Sequence, residues 1–295
     1  MNLSKLNIFR SVAFFRVLRS NWMAWYALWF LTAYLLLLAV SIACFNLNPY
    51  DQQTMDFFRP PRISFSFSKG FSKFLLGTDD LGRDVFARLV YGSKNTFLYA
   101  LIAAVASSAA GAVIGFTSAL YSSRLMQFTR ILVSSIRSYT PIIIAFAIIT
   151  ILGPSLKNAT VAITVSLIPR FAAICHEITA AEMKKEYIKA VMLDGAATFT
   201  MFRLSLFPNI RDVLIIQFTK HFSMASLDLA ALGFLGLSAV DPEPELGSMI
   251  AENMDMLYTG NYWIIALPGM AIITFVIAIN VLSDGIRNAL HKENL

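Results

Sequence analysis

The sequence predicts an all-α membrane protein with six transmembrane helices, and three observations carry that reading. Of 295 residues, 57% are hydrophobic and only 14% charged, whereas the wet surface of a soluble domain this size requires nearer a quarter. The mean hydropathy is +0.64. Apolar windows long enough to cross about 30 Å of hydrocarbon recur along the chain, separated by polar connections. The net charge of +6 does not point to nucleic acid. Its basic residues lie between apolar spans instead of forming one stripe, so they read as membrane orientation.

The first element is a cytoplasmic N-terminal segment, 1–21, carrying Lys5, Arg10, Arg16 and Arg19. The apolar run after it is too long for a cleavable signal core and has no A-x-A-like site, so it reads as a retained signal anchor. Span one runs from about Trp22 to Phe45, with Trp22, Trp25 and Tyr26 suited to an interfacial aromatic belt. The external loop 48–94 is rich in Pro, Ser and Phe, and its alternation over Ile63–Lys69 fits a short strand or an extended excursion. Span two is the charge-free window Asn95–Ser123, where Gly111 and Gly115 follow a run of small residues suited to close helix packing. Span three is expected at about Ile131–Leu152. Span four, Val161–Cys175, is interrupted by Pro169 and Arg170, a kink that neighbouring helices can tolerate. Span five, Val213–Leu237, contains Lys220, His221 and Asp228. Span six is Tyr262–Leu282. The whole of 22–295 reads as one transmembrane domain.

Basic residues set the orientation. With the N-terminus inside, the cytoplasmic segments carry thirteen Lys/Arg, while the loop Ser238–Asn261 carries none and holds Asp241, Glu243, Glu245, Glu252 and Asp255. That contrast predicts both termini in the cytoplasm, although the external loop 48–94 holds seven Lys/Arg against five Asp. On this topology Cys44 and Cys175 lie near opposite membrane faces, so they read as small apolar residues, neither disulfide-bonded nor metal-binding.

The cytoplasmic loop 176–212 is too polar to span yet strongly helix-forming. Met183, Tyr187, Ala190, Val191 and Asp194 recur at helical spacing, and Lys184, Lys185 and Lys189 lie elsewhere. Gly195 interrupts as a hinge. Phe199, Phe202, Leu206 and Phe207 then continue until Pro208 is expected to stop the run. Two readings fit: a docking element for a groove on a cytoplasmic partner, or an interfacial helix on lipid.

Three blocks carry a resemblance. Glu186-Tyr187-Ile188-Lys189-Ala190-Val191-Met192-Leu193-Asp194-Gly195, with Pro208-Asn209 after it, resembles the EAA loop of ABC-importer permeases. Leu76-Gly77-Thr78-Asp79-Asp80-Leu81-Gly82-Arg83-Asp84 resembles the L-G-T-D-x-x-G-R-D signature of dipeptide/oligopeptide permease C-type subunits. Gly233-Phe-Leu-Gly-Leu237, Pro244-Glu-Leu-Gly-Ser-Met249 and Asp284-Gly-Ile-Arg287 resemble their C-terminal pattern. Within that family the phrases at Lys185–Gly195 and Leu227–Leu235 are similar to the Sap branch, which serves sensitivity to antimicrobial peptides. Lys189 and Val191 depart from the family's Glu and second Ala, Ser205 and Phe207 from common His and Leu, and Glu245 from a usual Trp.

The resemblance implies a type I importer permease (MetI-like) fold in a bacterial inner membrane. It implies a pore shared with a second, SapB-like permease, two SapD/SapF-like cytoplasmic ATPases and a SapA-like periplasmic peptide-binding protein. Glu186, Tyr187, Lys189, Ala190, Val191, Gly195 and Pro208 would couple the pore to the ATPases. No G-x-x-x-x-G-K-[ST] occurs, so this chain is not expected to cradle ATP or Mg itself; the partners would. Cationic antimicrobial peptides are the implied cargo, with general dipeptides or oligopeptides, polyamines or metal complexes as alternatives. A stand-alone channel or secondary transporter is the rival class, and nothing in the sequence suggests an enzyme.

Interior charge at Asp228, Lys220 and His221 must face a pore or a partner. Asp228 either attracts a cationic peptide or pairs with Lys220 or His221. Gly77, Asp79, Asp80, Gly82, Arg83 and Asp84 make either a contact for the binding protein or a structural turn tied by Asp–Arg pairs that caps span two. Arg137 and Arg170 read as snorkelling residues near the membrane edges.

Overall fold

The computed structural model describes residues 22–44, 49–50, 65–66, 70–71, 75–121 and 123–293. The segment 1–21 therefore lies outside the described residues. The expected all-helical architecture is present. Its only strands among those residues are Phe65–Ser66 and Gly70–Phe71, paired antiparallel.

Helix α1 spans Trp22–Cys44 and α2 spans Val85–Leu120. The latter starts ten residues before the expected span two, because Asp84 caps it by accepting from the Phe86 N–H at 2.9 Å and Val85, Ala87 and Val90 are buried. The expected third span is broken. Helix α3, Arg124–Arg137, meets α4, Pro141–Leu152, at 93°. Pro141 imposes the break, since a residue preceding proline avoids the helical region, and Thr140 is extended at φ −67°, ψ 127°. Arg130 donates to the Ser118 carbonyl at 3.1 Å and Arg137 pairs with Glu177. Amphipathic α3 is thus tied to Ser118 near the end of α2 and to Glu177, and the chain turns sharply into α4 at the break.

Helix α5, Leu156–Glu182, contains Pro169 without ending. Helix α6 covers Glu186–Leu193 and α7 covers Thr198–Met201. A π turn at Phe202–Leu206 then leads directly into α8, Phe207–Phe234. Pro208 does not stop the run as expected. It occupies the first turn of α8, where its missing N–H has no intrahelical partner to lose. Short α9 (Leu246–Glu252) and α10 (Met256–Thr259) precede α11, Trp263–Glu293.

Among the described residues, Val85–Leu120, Leu156–Glu182 and Trp263–Asn288 are long and apolar enough to span, and the bent α3–α4 pair makes a fourth. Helix α1 is apolar over the shorter Trp25–Ser41. Helix α8 has the length but carries Arg211, Asp212, Lys220 and Asp228.

Small residues set the packing, as they must where lipid removes the hydrophobic incentive for helices to associate. Helix α2 lies along α5 so closely that a Cβ on Gly115 would sit 2.5 Å from the Ala172 carbonyl oxygen, and one on Gly111 would sit 2.9 Å from Phe171 Cβ. Ala100, Ala103 and Ala104 of α2, Ala145 of α4, Ala159 and Ala162 of α5 and Ala225 of α8 share one core. A second core joins α2, α8, α9 and α11 through Phe97, Ala230, Met249 and Phe275. Cys175 is a free, buried thiol at the α2–α5 contact.

Candidate functional site

The loop joining α5 to α8 is built from a short helix with a left-handed stop. Glu186 in the first turn of α6 complements the positive helix end. Gly195, at φ +77°, closes the other end, with the Ala196 N–H donating to the Val191 carbonyl at 3.4 Å. The apolar seam differs from the expected face. Ile188, Met201, Leu206 and Ile210 are buried together against Phe116, Leu120, Ile178 and Val191. Of the expected face Met183 and Val191 pack on this seam, whereas Tyr187, Ala190 and Asp194 are exposed; Lys189 is exposed as expected. Periodicity located an amphipathic helix but misassigned part of its inward side, because the residues that bury Ile188 come from five other elements: α2, α5, α7, the π turn and α8.

That seam fixes the loop to the spans, and polar contacts reinforce it. The Tyr187 hydroxyl donates to Glu182 Oε1 at 2.5 Å, Asn209 Nδ2 donates to the Tyr187 oxygen at 3.0 Å, and Lys185 pairs with Glu182 at 2.9 Å. Burial and the Glu182 carboxylate push the Tyr187 phenol up to about 12. One side chain therefore ties the end of α5 to the start of α8. The loop's outer surface is apolar: Leu193 is 88% exposed, Phe199 70% and Leu204 69%.

At the opposite end of the bundle, Gly77 and Gly82 adopt φ +82° and +72°, backbone that favours glycine. Between them Asp79 accepts from the Leu81 N–H at 3.0 Å, the Arg83 N–H at 2.8 Å and Arg83 Nε at 2.7 Å. Arg83 also reaches Asp241 at 2.5 Å, and Arg88 reaches Glu252 at 2.7 Å. Asp79, Arg83 and Arg88 are nearly inaccessible. The geometry thus favours the structural reading of this turn, and it enlists Arg88, Asp241 and Glu252, which the sequence did not connect with it. Burial raises the carboxyls of Asp80 and Glu252 above the ordinary range.

In the sequence Glu245 stood out as a loop carboxylate and as a departure from a motif. It is completely buried at the start of α9, where its carboxyl accepts from Thr96 Oγ1 at 2.9 Å, the Ser248 N–H at 2.9 Å and Ser238 Oγ at 3.3 Å. Burial raises its pKa, and those donors oppose the shift. Gly233 is what admits it: a Cβ there would overlap Glu245 Oε2 and lie 2.8 Å from its Cδ.

The three interior candidates do not form the expected pair. His221 hydrogen-bonds Ser107 at 2.9 Å and packs on Phe171, ring centroids 5.1 Å apart. Lys220 is exposed. Among the described residues no ion pair joins Asp228 to either, and Asp228 Oδ2 has no hydrogen-bond partner. Spacing of seven or eight residues along one helix does not bring short side chains together; neighbours on a helix are three or four apart.

Residues 88–293 match the family described as "Binding-protein-dependent transport system inner membrane component". The chain is 36% identical over 262 residues to the di/tripeptide transport system permease protein DppC of Pseudomonas aeruginosa (strain UCBPP-PA14), covering 88% of this chain and 86% of that one. It is 37% identical over 247 residues to the peptide transport system permease protein SapC of Escherichia coli O6:H1, covering 82% and 81% respectively. Among solved structures it aligns with a chain of the MetNI methionine ABC transporter in an inward-facing conformation. The TM-score is 0.59 at 20% identity, over 68% of this chain and 96% of the other. That likeness bears on the fold, and the fold is the MetI-like permease architecture expected.

Proposed function

The chain belongs to the family of binding-protein-dependent transport system inner membrane components, and on that premise we propose that it is one permease half of an ATP-driven peptide importer. The carrying observation is the loop between α5 and α8. It is fastened to both spans by Ile188, Met201, Leu206 and the Glu182–Tyr187–Asn209 chain. It also leaves Leu193, Phe199 and Leu204 bare. An apolar surface rigidly linked to two membrane helices suits a lever with a protein seated on it. The seated protein is a cytoplasmic ATPase carrying ATP and Mg. Glu186, Lys189 and Ala190 flank the docking surface, and Gly195 shapes it.

The complete transporter then comprises this chain, a SapB-like second permease, two SapD/SapF-like ATPases and a SapA-like periplasmic binding protein, in an inner membrane with both termini of this chain in the cytoplasm. Segment 1–21 is the cytoplasmic start and the loop 48–94 faces the binding protein. Asp228, half-buried and without a hydrogen-bond partner, faces the pore and attracts cationic cargo. Cationic antimicrobial peptides are the cargo favoured by likeness to the Sap branch. Similar identity to a di/tripeptide permease supports short peptides as the second reading.

The test is ATPase activity of the co-purified complex in proteoliposomes. Binding protein plus peptide should stimulate it several-fold. Gly195→Ala, which meets no atom within 4 Å but strains the backbone by about 1–2 kcal/mol, should remove most of the stimulation. Solute movement by this chain purified alone would refute the proposal.

A further inference from the structure

The break between α3 and α4 leaves a cavity of about 270 Å³ lined by Arg137, Tyr139, Pro141, Ser166, Pro169 and Arg170, among others. Two sequence features open it. Pro141 turns α3 aside, and Pro169 removes one backbone hydrogen bond from α5 facing that gap. Arg170 lies roughly 21 Å along α5 from Leu156 and roughly 18 Å from Glu182, near the middle of that helix. A guanidinium stays charged there, so it must face water, cargo or an opposite charge. It is exposed, and among the described residues no hydrogen bond or ion pair engages it. Arg137, by contrast, is already held by Glu177.

Resting on the peptide-importer reading, we propose that this cavity is a carboxylate-binding station on the translocation path, with Arg170 as its principal ligand and the free α-carboxylate of a short peptide as its occupant. The planar guanidinium fork matches a carboxylate in two parallel hydrogen bonds. Tyr139 and Arg137 line the same cavity and supply further donors. Helices α5 and α8, which carry Arg170 and Asp228, pack against one another. A zwitterionic peptide therefore meets a fixed cation for its carboxylate and a fixed anion, Asp228, for its ammonium groups.

The test compares uptake of trilysine with uptake of its C-terminal amide by the whole importer in proteoliposomes. The ratio of free acid to amide is measured for the wild type, Arg170→Gln and Arg170→Lys with one binding protein, whose own selectivity then cancels. Arg170→Gln should lower the ratio about tenfold, the value of a charge-assisted hydrogen bond, and Arg170→Lys should recover part of it. An unchanged ratio, or equal loss of both substrates, would overturn the station; equal loss is what an Arg170 ion pair with the second permease predicts. A wild-type complex that moves neither peptide would refute the importer reading and the station with it. A second measurement needs no change at Arg170. Trilysine, but not its amide, should slow maleimide labelling of Tyr139→Cys in the assembled complex, and protection by both or by neither overturns the assignment.

Discussion

Replacing Gly233 by Ala adds one methyl group at the tightest glycine position among the described residues. Its Cβ would overlap Glu245 Oε2 and stand 2.8 Å from Glu245 Cδ and 2.9 Å from Ser238 Oγ. The carboxyl cannot swing away freely, because it is completely buried and held by Thr96 and the Ser248 N–H. Overpacking of this kind costs about 1–3 kcal/mol. Displacing the carboxyl from a buried donor adds about 1–3 kcal/mol, while Ala in place of Gly within a helix returns about 1 kcal/mol. The net expectation is a loss of roughly 1–5 kcal/mol, or about 2–4 °C in Tm per kcal/mol for a chain of this size. Thermal unfolding of the detergent-solubilised complex measures it. Glu245→Ala is itself destabilising, because it strands Thr96 and the Ser248 N–H, but it removes the obstacle to the new methyl. The double variant should therefore be more stable than the two single losses add up to, by at least about 1 kcal/mol. Additive losses, or an unchanged Tm for Gly233→Ala, would refute the account of how α9 seats on α8.

Three further outcomes follow from the same contacts. Tyr187→Phe removes the hydroxyl shared by Glu182 and Asn209, costs about 1 kcal/mol locally, and should reduce binding-protein stimulation of ATPase activity more than it reduces Tm. Glu245→Gln should flatten the pH dependence of stability. Because the folded carboxyl pKa is raised, its contribution is complete below the ordinary carboxylate pKa and is lost as pH rises through the raised value; Tm curves that run parallel across pH would contradict this. Arg88→Met removes the nearer of two guanidinium partners of Glu252, leaving Arg83 at 3.6 Å, and should cost about 1–3 kcal/mol, the range for a hydrogen bond to a charged group. Adding Glu252→Gln should restore part of the lost Tm.

What the sequence disclosed was local. Charge-free windows located α1, α2 and α11, a shorter apolar run located α5, and Gly111 and Gly115 marked the α2–α5 contact, where a Cβ on Gly115 would sit 2.5 Å from the Ala172 carbonyl oxygen. The break in the third span was also written locally, since Pro141 forbids a helical Thr140, but a run of apolar residues masked it. Contacts between distant residues were not legible. Arg83 meets Asp241 across 158 residues and Thr96 meets Glu245 across 149, so Glu245 registered only as a loop carboxylate and a departure from a motif. The pairing expected for Asp228 failed for a simpler reason: eight and seven residues separate it from Lys220 and His221, about two helical turns, too far along the axis for the side chains to meet. The loop at Glu186–Leu193 was recognisable by its motif, yet its inward side depended on Phe116, Leu120 and Ile210, which periodicity within the loop does not reveal.

The central claim is that the loop between α5 and α8 is cytoplasmic and carries an ATPase on its apolar surface. The most direct measurement is labelling of Leu193→Cys with a membrane-impermeant maleimide in vesicles of known orientation, with and without the ATPase subunits. The account predicts labelling only from the cytoplasmic side, and protection when the ATPases are bound. Labelling from the periplasmic side, or labelling from the cytoplasm that bound ATPases leave unchanged, would contradict it.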